Sequence, residues 1–216
     1  MDTKVKQKLD DFFKQYKYQK FEKGKILVRA DANPKGIFYL TEGVVRRYSI
    51  SQLGKELTLN IYRPISFFPM DFAINKTSSS HFYEAMSDVE VFRAPKKQLL
   101  EFFKENNDVM FDLISRIYKG LEGYMMRMEY LMAGNAQARL ITEFLIYARR
   151  FGQLKGSKII VNLKVTEKDL ASQSGMTRET VSREIQKLKQ LGIIDFKKNK
   201  LKFNKLEKLE QMLFGI

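Results

Sequence analysis

Residues 166–192 read T-E-K-D-L-A-S-Q-S-G-M-T-R-E-T-V-S-R-E-I-Q-K-L-K-Q-L-G and decide the fold of the C-terminal part of the chain. Two short helical patterns flank a turn at Gly175, where glycine accommodates a left-handed backbone. Thr166 and Asp169 form a capping pair before the first pattern, and Thr177 occupies the N-cap of the second. This arrangement predicts a helix-turn-helix.

The second helix, residues 177–190, has two chemically different sides. Val181, Ile185 and Leu188 fall together at about 100° per residue, and we expect them to face the first helix. The other side and the N-cap carry the polar residues predicted to contact DNA, namely Thr177, Arg178, Glu179, Ser182, Arg183 and Gln186. Arginine can donate two hydrogen bonds to guanine, and glutamate can accept one from cytosine. The alternative use of two of these charges is an ordinary ion pair between Glu179 and Arg183.

Residues 193–203 read I-I-D-F-K-K-N-K-L-K-F and predict two short strands that meet near Lys198–Asn199, as in a wing. Lys198 and Lys200, together with Lys197 and Lys202, are predicted to contact the DNA backbone. The alternative is a solvated sheet edge that its lysines protect.

The charge distribution agrees with a polyanionic partner such as double-stranded DNA. The formal net charge is +14, and residues 136–216 contain 17 Lys or Arg against 8 Asp or Glu. No cysteine is present and His81 is the single histidine, so we expect no metal site and no cofactor. The first residues lack the apolar stretch of a signal peptide, and no run is long enough to span a membrane, which predicts a cytoplasmic protein without a membrane partner.

The N-terminal half has a sequence pattern typical of an antiparallel β structure. Residues 4–16 predict a short amphipathic helix. From Tyr18 to Pro95, short runs rich in Val, Ile, Phe and Tyr alternate with turn signals, which predicts a barrel or sandwich. Residues 96–103 then look helical.

Residues 107–132 carry a heptad pattern that predicts a helix pairing with a second copy of the chain. The predicted seam consists of Met110, Ile114, Ile117, Leu121, Tyr124, Met128 and Leu131. A second apolar side, with Phe111, Leu113, Tyr118 and Met125, is expected to lie on the barrel. The alternative is a helix that packs only on its own domain.

Beyond this helix, Gly134 is a helix breaker and Asn135 a good N-cap. The next helix is predicted to end near Phe151, followed by a turn at Gly152–Ser157 and a strand at 159–163.

The stretches G-M-T-R-E-T-V-S-R-E-I-Q-K-L-K-Q-L-G-I-I (175–194) and G-I-F-Y-L-T-E-G-V-V-R (36–46) resemble the family of the cyclic-AMP receptor protein and the fumarate–nitrate reduction regulator, the Crp/Fnr family. The resemblance implies an α+β fold: a jelly-roll-like antiparallel β-roll over 1–106, a long dimerisation helix and hinge over 107–134, and a winged helix-turn-helix over 135–216. It implies homodimers on palindromic sites, base contacts from Arg178, Glu179 and Arg183, a contact from Ser182, and a backbone contact from Thr166.

The chain departs from the family's nucleotide-binding pattern. Pro69 and Met70 stand where a glycine and a glutamate are expected, and Ser79 stands where an arginine is expected, while Ser80 keeps the serine. Without that arginine nothing obvious neutralises a cyclic phosphate. We therefore expect cyclic AMP not to be the ligand, and the absence of cysteine excludes an iron–sulfur sensor.

A small-molecule effector other than cyclic AMP is one hypothesis for regulation, and a protein competent without any effector is the other. The candidate effector pocket comprises Phe67, Phe68, Met70, Ser79, Ser80, Tyr124 and Met128.

The functional hypothesis is a homodimeric, sequence-specific DNA-binding transcription regulator, with RNA polymerase as a further expected partner. The alternative is a ligand-binding sensor module whose helix-turn-helix mediates protein contacts. An enzyme is not favoured, because the sequence shows no paired carboxylates, no nucleophile–base set and no phosphate-binding glycine loop.

Overall fold

The computed structural model describes residues 2–75 and 79–215 and forms two compact units, Met1–Tyr118 and Lys119–Ile216. The elements of the N-terminal unit, in chain order, are α1 (Thr3–Phe13), β1 (Lys17–Phe21), β2 (Ile26–Val28), β3 (Ile37–Glu42), β4 (Val45–Ile50), β5 (Glu56–Tyr62), β6 (Phe67–Phe68), α2 (Met70–Asn75), β7 (Phe82–Ala85), β8 (Val89–Ala94) and α3 (Lys96–Glu105). The boundary between the units falls inside α4 (Asn107–Ala133). No helix among the described residues is both long and apolar enough to cross a membrane.

The strands of the N-terminal unit form two four-stranded antiparallel sheets, in the orders β1-β8-β3-β6 and β2-β7-β4-β5. This confirms the predicted antiparallel roll. Helix α1 ends at Phe13 rather than at residue 16, because the chain must turn before Lys17, which pairs with Arg93 of β8.

Strand β3 contributes to two cores, because its side chains alternate between the two faces of its sheet. Phe38 and Leu40 belong to the cluster inside the roll, whereas Ile37 and Tyr39 belong to a cluster with the surrounding helices. The hydroxyl of Tyr39 donates to the carboxylate of Asp10 on α1 at 2.7 Å. The roll is therefore fastened to its first helix by packing and by a hydrogen bond.

Helix α4 presents a different side to the roll than the sequence predicted. Val109 and Leu113 are buried, and Met110 of the predicted seam also packs partly against this core. The prediction that Phe111 and Tyr118 lie on the barrel is wrong, since they are 73% and 65% exposed. Their position follows from helix geometry, because at about 100° per residue Phe111 lies on nearly the opposite side from Val109.

The prediction that Met125 lies on the barrel is also wrong, since this residue is 52% exposed. Of the four residues proposed for the barrel side, only Leu113 is buried there.

The elements of the C-terminal unit, after the second half of α4, are α5 (Ala136–Phe151), β9 (Gly152–Lys155), β10 (Lys158–Lys164), α6 (Glu167–Ser174), α7 (Arg178–Gln190), β11 (Ile194–Lys197), β12 (Lys200–Phe203) and α8 (Leu206–Phe214). Its sheet has the order β11-β12-β10-β9 and is antiparallel. As predicted, Asn135 caps α5, because its side chain accepts from the N–H of Ala138 at 2.9 Å.

The predicted turn at Gly152–Ser157 is mostly strand β9, and only residues 156–157 turn. The strand can begin directly at the helix end because Gly152 has no Cβ. A Cβ at that position would collide with the carbonyl oxygen of Ala148 and with the side chain of Ile159.

A buried ion pair joins α4 to α5 within the C-terminal unit. Arg127 donates two hydrogen bonds to Glu143, at 2.6 Å and 2.8 Å, and Glu143 is 1% exposed. The guanidinium keeps its charge at every physiological pH, and the paired carboxylate compensates it. Removal of one partner would leave the other charge buried and uncompensated.

We expect Arg127→Met to lower the free energy of unfolding by about 3–5 kcal/mol, because Glu143 would remain buried without its cation. Denaturant titration followed by circular dichroism measures this change. Lys20→Met is the control, since the Lys20–Glu90 pair has a similar length of 2.7 Å but its side chains are 69% and 31% exposed, and its loss should change stability little. Equal stabilities of the two variants would contradict this account.

Candidate nucleic-acid interface

Helix α6 begins at a complete capping box. The hydroxyl of Thr166 accepts from the N–H of Asp169 at 3.1 Å, and the carboxylate of Asp169 accepts from the N–H of Thr166 at 2.8 Å. Two N–H groups that the first helical turn leaves without a partner are thereby satisfied. The predicted capping pair is confirmed, and Thr166 itself remains partly exposed.

The turn between α6 and α7 depends on Gly175, whose φ of 65° lies in the left-handed region, as the sequence predicted. A Cβ at this position would meet only Leu131 Cδ2, at an ordinary 3.7 Å. The glycine is therefore required for its backbone conformation rather than for space.

Helix α7 has one buried and one exposed side. Val181, Ile185 and Leu188 are at most 1% exposed, which confirms the predicted inward face. The helix packs on α5, α6 and β11. The structure brings the predicted DNA-contacting residues of α7 together on its outer side: Thr177, Arg178, Glu179, Arg183 and Gln186 are exposed, and Ser182 is partly exposed.

The charged groups at the start of α7 are held by local partners. Arg178 Nε donates to Glu167 of α6 at 3.2 Å. The pKa of the Glu179 carboxyl is lowered by its own backbone N–H and by the Thr177 hydroxyl. Glu179 is therefore ionised and can only accept hydrogen bonds.

Arg183 does not form the ion pair with Glu179 that the sequence left open. Its Nε lies 3.9 Å from Glu184, a neighbour with a nearly buried side chain. Glu184 also accepts from Lys187 at 2.8 Å. Sequence reasoning missed Glu184 and Glu167. The signal for Glu184 was its position at the edge of the apolar arc, three residues after Val181.

The wing is a two-residue hairpin between β11 and β12, as predicted, with Lys198 and Asn199 at φ values of 50° and 61°. Both Lys198 and Lys200 are exposed. The N–H of Val165 donates to the carbonyl of Asn199 at 2.9 Å, so the wing tip lies beside the start of α6.

A row of three exposed lysines crosses the sheet next to this tip. Lys200 is paired in register with Lys197 on one side and with Lys164 on the other. Like charges directly opposite each other destabilise a sheet. The three lysines therefore form a strip of positive charge, and a bound anion would reduce the repulsion between them.

The interface rests on the buried helix α5. Gln173 of α6 donates to the hydroxyl of Tyr147 on α5 at 2.9 Å, and both side chains are buried. Ser174 at the end of α6 is likewise buried and donates back to the carbonyl of Leu170. Side chains of α5 and α6 thus fix the platform on which α7 lies.

The residues that the N-terminal unit contributes to the candidate effector pocket do not line one surface. Phe68 is fully buried in the cluster inside the roll, whereas Phe67 and Met70 belong to the cluster with the helices. Ser79 is buried and Ser80 is exposed. Tyr124 and Met128 lie in the other unit and are exposed.

We expect Gly175→Ala to lower the free energy of unfolding by about 1–2 kcal/mol, because alanine is strained in the left-handed region. Gly175→Asn should cost less, since asparagine visits that region more readily. Gly120→Ala is a control with the opposite sign: this glycine lies inside α4 with open space around its Cβ position, so alanine should stabilise the helix. Thermal unfolding of the three variants checks the order, and a neutral Gly175→Ala would refute it.

Two family models match the chain in the order of its two units. The cyclic nucleotide-binding domain matches residues 18–106, and the Crp-like helix-turn-helix domain matches residues 138–212. The matches cover nearly all of the strands of the roll, most of α5 and the whole helix-turn-helix with its wing.

Similar proteins extend over most of the chain. The global nitrogen regulator of Nostoc sp. is 26% identical over 187 residues, which cover 86% of this chain and 84% of that protein. The transcriptional regulator SdrP of Thermus thermophilus is 27% identical over 176 residues, 81% of this chain and 82% of that protein.

Among solved structures, a CooA mutant from Carboxydothermus hydrogenoformans has the same fold, with a TM-score of 0.80 at 22% identity over 94% of this chain and 90% of that chain. The two matched domains, their order and the regulators similar along most of the sequence show that this chain belongs to the Crp/Fnr family of transcription regulators.

Proposed function

We propose that the chain is a homodimeric transcription regulator that reads palindromic sites in double-stranded DNA with helix α7. The observation that carries this proposal is the division of α7 into a fully buried apolar side and an exposed side with guanidinium, carboxylate and hydroxyl groups. A helix held in this way can enter the major groove without losing its packing.

Base reading is assigned to the outer side of α7. Arg183 is 67% exposed at its side chain, and the carboxylate nearest to it among the described residues, Glu184, lies 3.9 Å from its Nε, so its guanidinium can donate to guanine. The ionised Glu179 suits the amino group of cytosine and would be repelled by phosphate. Arg178 is 72% exposed and bonds Glu167 through Nε, so a DNA contact by this guanidinium uses its Nη groups or exchanges that bond. Thr177, Ser182 and Gln186 complete this polar side.

Backbone contacts are assigned to the wing and to the start of α6. Lys198 and Lys200 are exposed at the tip, and the row that Lys200 forms with Lys164 and Lys197 concentrates positive charge there. Thr166 lies beside the tip through the Val165–Asn199 hydrogen bond. Phosphates bound along this strip would fix the position of α7 over the bases.

Dimerisation is assigned to α4. Six of the seven seam residues are 36–59% exposed, namely Ile114, Ile117, Leu121, Tyr124, Met128 and Leu131. Apolar side chains exposed at heptad spacing along 27 residues of helix are typical of a surface that a second helix covers. Met110, the seventh, packs partly on its own roll instead. In a dimer the two α7 helices need a separation of about 34 Å to read two half-sites.

The alternative of a helix-turn-helix that mediates protein contacts predicts weak DNA binding without sequence preference. The polar character of the exposed side of α7 and its lysine-rich surroundings favour DNA. The predicted contact with RNA polymerase stays a prediction, and so does the small-molecule effector.

Arg183→Ala should abolish discrimination at one base pair of each half-site, at a cost of about 1–3 kcal/mol. The measurement uses sites selected from random duplexes with the purified parent protein, followed by titration of the selected and scrambled duplexes. Lys208→Ala, on the exposed side of α8, is the charge-matched control and should keep the ratio of affinities. If Arg183→Ala kept the parent's ratio of affinities for the selected and scrambled duplexes, the assignment of Arg183 to base reading would be ruled out.

Leu121→Glu should shift the protein from dimer to monomer, because a charge would be buried in the seam. Analytical ultracentrifugation measures the shift, and binding to the full palindrome should weaken more than binding to a half-site. The control is Lys119→Glu, an exposed position of the same helix outside the seam. A dimer that persists in Leu121→Glu with unchanged affinity would contradict the proposed interface.

A further inference from the structure

A partly buried polar cluster in the N-terminal unit is centred on Arg47 of β4. Its Nη2 donates to Asp71 Oδ2 at 3.3 Å and lies 2.8 Å from His81 Nδ1. Asp71 lies in the first turn of α2, and His81 directly precedes β7. The guanidinium thus ties together residues 69–71 and residues 79–81.

These two segments are the ones that the family resemblance assigns to a cyclic phosphate, and their residues do not fit that group. Pro69 has no N–H to donate. Ser79 is fully buried, and its hydroxyl donates to the carbonyl of His81 at 2.9 Å, so position 79 supplies no cation. The cation in this region comes from β4 instead, and it already has a carboxylate beside it.

Aromatic side chains fill the roll next to this cluster. Phe68 and Tyr83 are fully buried and stack with ring centroids 5.1 Å apart and an angle of 8°. Tyr62 packs against both rings, at 5.1 Å and 5.8 Å. The Arg47 guanidinium lies 6.0 Å from the ring of Tyr83.

The charge of Arg47 is partly buried, which favours an anion beside it. Arginine cannot lose its proton in a protein. Its Nε is buried without a hydrogen-bond partner among the described residues, although the side chain as a whole is 24% exposed, so the buried part of the guanidinium depends on a neighbouring protein anion. Asp71 supplies the one carboxylate that bonds this guanidinium among the described residues. Its loss would leave a partly buried cation with free donors.

We propose that the Asp71 carboxylate takes the place that the phosphate of a cyclic nucleotide would occupy beside Arg47. The Arg47–Asp71–His81 cluster then leaves no free cation for that phosphate, and no cyclic nucleotide binds there. The carboxylate holds α2 and the segment before β7 against β4 through one guanidinium. This inference rests on the proposed function in one respect: if the chain binds DNA, it does so without a cyclic nucleotide.

His81 reports on this cluster because it is the single histidine of the chain. Nδ1 accepts from Arg47, so the neutral ring carries its proton on Nε2. Burial and the Arg47 charge lower the pKa of His81, while Asp71 raises it. The folded protein therefore disfavours the protonated ring, and this group destabilises the fold as the pH falls through the unfolded value of about 6.5.

The test compares the full-length parent with Asp71→Asn in thermal unfolding, with cyclic AMP and with inorganic sulfate at constant ionic strength as probes. We expect no saturable rise of the parent's Tm with either probe. In Asp71→Asn sulfate should raise Tm saturably, because the uncompensated guanidinium takes the anion. Glu105→Gln, an exposed carboxylate at the end of α3, is the control and should behave like the parent.

Nuclear magnetic resonance of the His81 ring gives a second readout, because removal of the Asp71 charge should lower its titration midpoint further.

If Asp71→Asn does not fold, the double variant R47M/D71N decides: a recovered fold identifies the unpaired guanidinium as the cause and supports the proposal, and failure of both variants overturns it. A saturable response of the parent to cyclic AMP, or an Asp71→Asn protein without a sulfate response, also overturns it. Because none of these measurements uses DNA, failure here is separate from failure of the Arg183 assignment.

Discussion

The burial of one side of α7 is the constraint on which the rest of the C-terminal unit depends. Val181, Ile185 and Leu188 are removed from water by α5, α6 and β11, and this burial holds the helix in place without using its polar side. Polar groups on the outer side are then left for a partner. A helix that was apolar all round, or held by its charges, could not present arginine and glutamate in this way.

Buried charges add directional restraint to this packing. The Arg127–Glu143 pair fixes the second half of α4 against α5, and Tyr147 binds Gln173 one turn further along α5. Hydrogen bonds of this kind contribute little net stability compared with apolar packing, but their geometry admits few alternative arrangements. The long helix and the helix-turn-helix are thereby connected through α5 by side chains with defined partners.

The roll keeps the strand framework of the cyclic nucleotide-binding domain, while several of its side chains differ from the pattern expected for a cyclic phosphate. Alternation along β3 and β6 sends Phe38 and Phe68 into the roll and Tyr39 and Phe67 towards the helices. Buried aromatic rings fill the interior, and the partly buried Arg47 cluster lies next to them. Shared strand patterns are therefore a reliable guide to the architecture, while a few side chains decide what the interior can bind.

Local chemistry was sufficient to predict much of the candidate interface from the sequence. The capping box at Thr166, the left-handed turn at Gly175 and the inward face of α7 each depend on residues within one or two helical turns, so the sequence by itself determined them. Strand existence in the roll followed in the same way from alternation and turn signals. The start of β9 was missed because glycine is a turn signal unless its neighbours in space are known.

Only the tertiary structure decided which side of α4 meets the roll and which charges meet each other. Several apolar sides of that helix satisfy the same periodicity, and the choice of Val109 and Leu113 over Phe111 depends on the shape of the surface that receives them. Arg47 and Asp71 are likewise far apart in sequence, and an arginine on a strand carries no local sign of its partner. Contacts of this kind arise when the chain folds back on itself, because Coulomb attraction and burial depend on distance in space rather than on distance along the chain.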